Sequence, residues 1–91
     1  MKIARRFFIR GLVQGVGYRF FAQRAAAKHQ VLGFVRNLED GRVEALAEGD
    51  ESSVRAFHED LLTGPNYSRV EMIEEIVLEP SGSYALFIVE K

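Results

Sequence analysis

The 91-residue sequence contains no cysteine and only two prolines. Without cysteine, disulfides, thiolate catalysis and cysteine-bound zinc are all excluded. No apolar run is long enough to cross a membrane, and Arg10 interrupts the N-terminal apolar stretch, which is not typical of a signal peptide. With 47% hydrophobic and 27% charged residues, the composition predicts one soluble globular domain over residues 1–91, cytoplasmic and not bound to a membrane.

Acidic residues are absent from the first 38 positions, which hold eight basic residues and a formal charge of +8. The remaining positions hold all 13 acids and four basic residues, so their charge is −9 and the total is −1. Such a split is typical of an anion-binding side. The alternative is that basic and acidic strands lie side by side in a sheet and neutralise each other. The pattern alone favours neither.

Hydrophobic periodicity predicts the element order β-α-β-β-α-β with a short strand appended. The predicted strands cover residues 3–13, 31–38, 42–48, 69–79 and 84–89, and the predicted helices cover residues 18–29 and a segment from Asp50 to the Gly64-Pro65 stop. This order predicts an α+β fold, a ferredoxin-like two-layer sandwich whose antiparallel sheet carries both helices on one face.

The segment from Gly11 to Phe20 joins the first strand to the first helix through three glycines. Glycine lets the backbone curl and bring its N–H groups close to a ligand. The start of a helix adds unsatisfied donors and a partial positive charge. Arg19 in this first turn is unfavourable unless an anion lies between it and the amides. We therefore favour an anion site over a merely solvated arginine.

Asn37, near the end of the second predicted strand, is the other candidate. Its amide can both donate and accept, so it could hold and direct a water molecule. Asparagine before Glu39-Asp40-Gly41 also suits a turn. The residue alone does not decide between the two interpretations.

The remaining polar groups point to structural roles. His29 and His58 have no second histidine at metal spacing, so we expect neither to be catalytic. The acids of the fourth strand suit a solvated edge better than a catalytic pair: Glu71, Glu74, Glu75 and Glu79. RNA binding on the sheet is disfavoured because the third strand, residues 42–48, has two acids and no aromatic residue.

Two motifs resemble the acylphosphatase family, and the predicted element order extends the resemblance over nearly the whole chain. The first motif is Ile9-Arg10-Gly11-Leu12-Val13-Gln14-Gly15-Val16-Gly17-Tyr18-Arg19. The second is Gly33-Phe34-Val35-Arg36-Asn37, followed at the family spacing by Gly41, Val43 and Gly49. One departure is Tyr18, where the family more often has phenylalanine, but the aromatic body is retained.

The resemblance implies hydrolysis of the carboxyl–phosphate bond of acylphosphates, with no metal or other cofactor. Arg19 would bind the phosphoryl group and Asn37 would orient the attacking water. The phosphoryl oxygens would be cradled by the backbone amides of Gln14, Gly15, Val16, Gly17, Tyr18 and Arg19. We expect a monomer that takes a small acylphosphate, releases inorganic phosphate, which also competes for the site, and binds no nucleic acid. The alternative is a non-catalytic anion-binding or interaction module of the same fold.

Overall fold

The computed structural model describes all of residues 1–91 as five strands and two helices. Along the chain these are β1 (Lys2–Leu12), α1 (Tyr18–His29), β2 (Leu32–Asn37), β3 (Val43–Asp50), α2 (Glu51–Thr63), β4 (Arg69–Leu78) and β5 (Phe87–Val89). The strands form one sheet in the order β4-β1-β3-β2-β5, with both helices against one face. The predicted two-layer α+β fold is confirmed. Neither helix is long and apolar enough to cross a membrane.

The sheet is mixed, which corrects the expectation of a wholly antiparallel one. The pairs β1–β3, β1–β4 and β2–β3 are antiparallel, but β5 runs parallel to β2. Because β4 and β5 lie at opposite edges, the chain turns back after β4, crosses the sheet and enters β5 in the direction of β2. The buried Glu48 carboxylate holds this crossing segment, accepting hydrogen bonds from Ser81 N–H (2.9 Å), Ser81 Oγ (2.7 Å) and Gly82 N–H (3.1 Å).

The core lies between the sheet and the helices. Alternation along β1 and β3 directs every second side chain to the helix-covered face, and the small alanines of α1 allow that helix to approach closely. The fully buried side chains include Phe7, Ile9, Val43, Ala45 and Ala47 from the sheet and Ala22, Ala26, Val54, Phe57 and Leu61 from the helices. Ile9 pairs with Val43, which also pairs with Asn37. Asn37 therefore lies on the helix-covered face.

Strand pairing cancels much of the charge asymmetry seen along the sequence. Basic residues of β1 and β2 meet carboxylates of β3 and β4 in the ion pairs Lys2–Asp50, Arg5–Glu75, Arg6–Glu44 and Arg36–Glu44. The alternative of neutralising neighbours is thus correct for these residues. Arg10 and Arg19 form no ion pair.

Candidate active site

The loop between β1 and α1 has a conformation that only glycine adopts easily. Gly15 and Gly17 have φ values of 76° and 79°, in the left-handed region. Glycine enters this region without the steric cost that a Cβ would add. Left-handed residues at alternate positions turn successive N–H groups toward one side of the chain, which makes an anion-binding concavity. Two of the three glycines in this segment of the sequence, Gly15 and Gly17, therefore have a direct structural reason.

The N–H groups of this loop have no acceptor within the protein. The first bond at the start of α1 runs from Phe21 N–H to Gly17 O (3.0 Å), and residues 14–17 donate no backbone hydrogen bond. Gly17, at the N-cap position, has no side chain to offer, and the first turn contains no acid. The unsatisfied donors and the helix dipole both favour an anion here. The loop is suited to a phosphate-sized group.

Arg19 is partly buried, and its guanidinium is hydrogen-bonded to the residue that follows β5. Its Nη1 donates to the backbone oxygen of Glu90 (2.7 Å), and the N–H of Glu90 donates to Val35 O (2.9 Å). The backbone of Glu90 thus connects the Arg19 guanidinium to β2. A guanidinium carries five N–H donors, and Arg19 makes this one hydrogen bond within the protein. Its other donors are free for an anion.

Asn37 is the last residue of β2, two positions beyond Val35 and on the same face of the sheet. Its Oδ1 is buried and has no hydrogen-bond partner within the protein. A buried amide oxygen without a partner is costly, so its position suits an acceptor for a bound water. The hydrogen bonds from Arg19 to Glu90 and from Glu90 to Val35 reach β2 two positions before Asn37, so both candidates of the sequence are connected to the same strand.

Gln14 ties the loop to the strand that carries Asn37. Its Nε2 donates to Leu38 O (2.8 Å) and to Arg42 O (2.9 Å), on the two sides of the β2–β3 hairpin. The sequence analysis assigned Gln14 only a backbone role and missed this side-chain contact. The available signal for a side-chain role was a polar amide among apolar residues and glycines. Its partners could not be identified from the sequence, because they are backbone carbonyls 24 and 28 positions away.

Tyr18 anchors the start of α1 in the core. Its side chain is 1% exposed, and its hydroxyl donates to Leu61 O in α2 (2.7 Å). Burial raises the pKa of Tyr18 well above its ordinary value, so the phenol stays protonated and donates. The hydroxyl that distinguishes Tyr18 from the commoner phenylalanine thus joins the two helices. Only the backbone amide of Tyr18 is a candidate phosphate donor.

Neither histidine belongs to the loop. His29 Nε2 lies 2.8 Å from Asp60 Oδ2, between the two helices, and the His58 ring packs on Phe7 with centroids 4.7 Å apart. No group of three His, Asp or Glu side chains is arranged to hold a metal ion. The candidate site groups are backbone N–H groups, the Arg19 guanidinium and the Asn37 amide.

Comparisons with known proteins point to one family. A family model described as "Acylphosphatase" matches residues 5–89. A relative from Solibacter usitatus named "Acylphosphatase" is 53% identical over 72 residues, covering 79% of this chain and 75% of its own. One of the same name from Mannheimia succiniciproducens is 39% identical over 88 residues, covering 97% and 98%. The crystal structure of acylphosphatase from Bacillus subtilis superposes with a TM-score of 0.94 at 36% identity, covering 98% and 99%.

A two-layer α+β sandwich with a loop of unpaired N–H groups before its first helix is the class that the coordinates define. The chain belongs to the acylphosphatase family. The family activity is hydrolysis of acylphosphates, and this protein is a hydrolase of that type. The resemblance found in the two sequence motifs is confirmed.

Proposed function

We propose that the loop amides of residues 14–19, Arg19 and Asn37 together form the hydrolytic site for acylphosphates. The observation that carries this proposal is the position of Asn37. It lies between two connected positions. Gln14 of the loop donates to Leu38, directly after Asn37, and Arg19 of α1 is connected through Glu90 to Val35, two positions before Asn37. A phosphoryl group held by the loop would therefore sit beside the unpartnered Oδ1 of Asn37.

The proposed reaction is displacement at phosphorus. The oxygen of the water held by Asn37 forms a bond to phosphorus as the bond between phosphorus and the acyl oxygen breaks. The acyl group leaves as a carboxylate, a good leaving group, so the protein mainly has to position the water and stabilise phosphoryl charge. The loop N–H groups and the guanidinium perform the second task, because both are donors without acidic partners.

The proton of the attacking water passes, in this proposal, to an oxygen of the phosphoryl group itself. The support is the content of the site, since both histidines are engaged elsewhere, His29 in a hydrogen bond with Asp60 and His58 in packing on Phe7. A pH–rate profile that required a protein base with a pKa near neutrality would contradict this step.

Hydrolysis of benzoyl phosphate, followed by absorbance, tests the assignment of Asn37. We expect Asn37→Ala to lower kcat by about a hundredfold, because the water loses its orientation. Inorganic phosphate should inhibit the wild type competitively, and its Ki should be similar in the variant, since the loop and Arg19 remain. Asn66→Ala, at an exposed asparagine outside the site, is the matched control. A folded Asn37→Ala enzyme with full activity would refute the assignment.

We further propose that residues 1–91 act as one cytoplasmic domain and as a monomer. Support comes from the site, all of whose residues belong to one chain, and from the absence of cysteine. Light scattering across a range of protein concentrations would test the monomer, with a concentration-dependent mass as the contradicting result.

A further inference from the structure

We propose that the side chain of Gln14 is a positioning residue, which sets the phosphate loop in register with Asn37. This inference rests on the proposed function, because it concerns how the phosphoryl group and the water are aligned. Gln14 contributes no reacting atom in this account. It acts through the β2–β3 hairpin.

The side-chain amide of Gln14 bridges the two sides of that hairpin next to its turn. Leu38 and Arg42 flank the turn, and the hairpin's own bond runs from Leu38 N–H to Arg42 O (2.8 Å). Gln14 Nε2 adds a donor to each of the two carbonyls, Leu38 O at 2.8 Å and Arg42 O at 2.9 Å. One side chain thus joins the loop to both strands at the point where β2 ends and β3 begins.

The chemistry of the amide argues against direct contact with substrate phosphate. An amide NH₂ has two N–H donors, and both are directed to the hairpin carbonyls. The remaining polar atom, Oε1, only accepts hydrogen bonds. A phosphoryl group also presents acceptors, so Oε1 would repel it. The Gln14 side chain is therefore suited to hold protein to protein.

The position of these bonds explains why they matter for alignment. Leu38 directly follows Asn37, whereas the Arg19 anchor reaches β2 at Val35, before Asn37. Without the Gln14 bonds, the hydrogen-bonded connection to β2 would remain only on the Val35 side of Asn37, through Arg19 and Glu90. The phosphate would still find the loop amides and Arg19. The position of the bound phosphorus relative to the water at Asn37 would no longer be fixed.

Two substitutions test this proposal on the full chain. Gln14→Met keeps the length but removes both donors, and Gln14→Glu places carboxylate oxygens against two carbonyls. We expect either variant to lower kcat for benzoyl phosphate by about ten- to a hundredfold, the scale of a small misalignment. For the uncharged Gln14→Met variant, the Ki for inorganic phosphate should change by less than about twofold, because ground-state binding is retained; the added charge of Gln14→Glu should also weaken phosphate inhibition. Gln23→Met, at an exposed glutamine of α1, is the matched control.

The double variant that combines Gln14→Met with Asn37→Ala distinguishes a positioning role of Gln14 from other roles. If Gln14 acts by aligning Asn37, then Gln14→Met should lower kcat little further in the Asn37→Ala background. Three results would overturn the inference: proportional losses in kcat and phosphate affinity, a lowered melting temperature with unchanged kcat, or full additivity with Asn37→Ala. An inactive wild type would instead contradict the proposed function. The two failures are thus distinguishable.

Discussion

Helix α2 has carboxylates at its positive end, whereas α1 has Gly17 at its N-cap position and Arg19 in its first turn. In α2, Asp50 occupies the N-cap position and Glu51 the first turn, where Arg55 Nη2 pairs with Glu51 at 2.7 Å. The N–H of Glu51 donates to Met1 O at 2.9 Å. In α1, the N–H groups of the preceding loop have no acceptor within the protein.

The comparison shows how one topology can serve two purposes. Each helix follows a strand of the same sheet, so each begins close to a strand end. The chain's own anions neutralise the start of α2, which stabilises that helix. The start of α1 carries a cation and unsatisfied donors, which is unfavourable until an external anion binds. The difference lies in a few residues of the first turn, not in the fold.

Removal of the cation from α1 should have the largest effect. Arg19→Ala is expected to lower kcat/KM for benzoyl phosphate by about 10²–10³-fold, the usual loss when one donor to a developing oxyanion is removed. Absorbance assays and phosphate inhibition measure the change. Arg24→Ala, at an exposed arginine of the same helix, should retain activity. If the two variants behaved alike, Arg19 would have no special role.

An acid in the first turn of α1 would make its start resemble that of α2. Phe20 lies in that turn and is 68% exposed. Phe20→Glu should weaken phosphate inhibition by about tenfold, because a carboxylate then competes for the same donors, and should stabilise the helix by about 0.3–1 kcal/mol. Inhibition kinetics and thermal unfolding give the two readouts, with Phe20→Gln as the uncharged control. Unchanged phosphate affinity would contradict the comparison.

The smallest effect is expected from a substitution at the start of α2, where it should alter stability and not activity. Hydrogen bonding and charge attraction from Arg55 hold the pKa of Glu51 below its usual range. A depressed pKa means that the contribution of Glu51 to stability is present above its ordinary pKa and is lost as the pH falls through the folded value. Glu51→Gln should therefore lower the melting temperature slightly at about pH 7 and not at about pH 3, with no change in activity. A change in kcat would show that the two helix starts are not independent.

The sequence predicted the parts of the site whose signals are local. Gly15, Gly17 and Arg19 share one short segment, and the helix Tyr18–His29 has the predicted bounds. Asn37 stayed ambiguous until the second motif was considered, because an asparagine before a turn has two interpretations. The bonds from Gln14 to Leu38 and from Arg19 to Glu90 could not be predicted. Backbone carbonyls carry no sequence signal, and these contacts depend on strand order.

The direction of β5 also could not be predicted from local sequence patterns. Three residues form this strand, which is too few to set a direction by periodicity. Its parallel pairing with β2 follows from the crossing segment that Glu48 holds through Ser81 and Gly82. Through β5 and Glu90, this crossing also determines where Arg19 is anchored.

Titration of the ¹⁵N-labelled protein with inorganic phosphate tests the central claim most directly. The account predicts saturable shifts of the backbone amide resonances of residues 14–19, with a Kd that equals the Ki from inhibition. The amides of residues 51–54 at the start of α2 should not respond in this way. Saturable shifts at α2, or none at α1 while phosphate still inhibits, would contradict the claim that the start of α1 is the phosphate site.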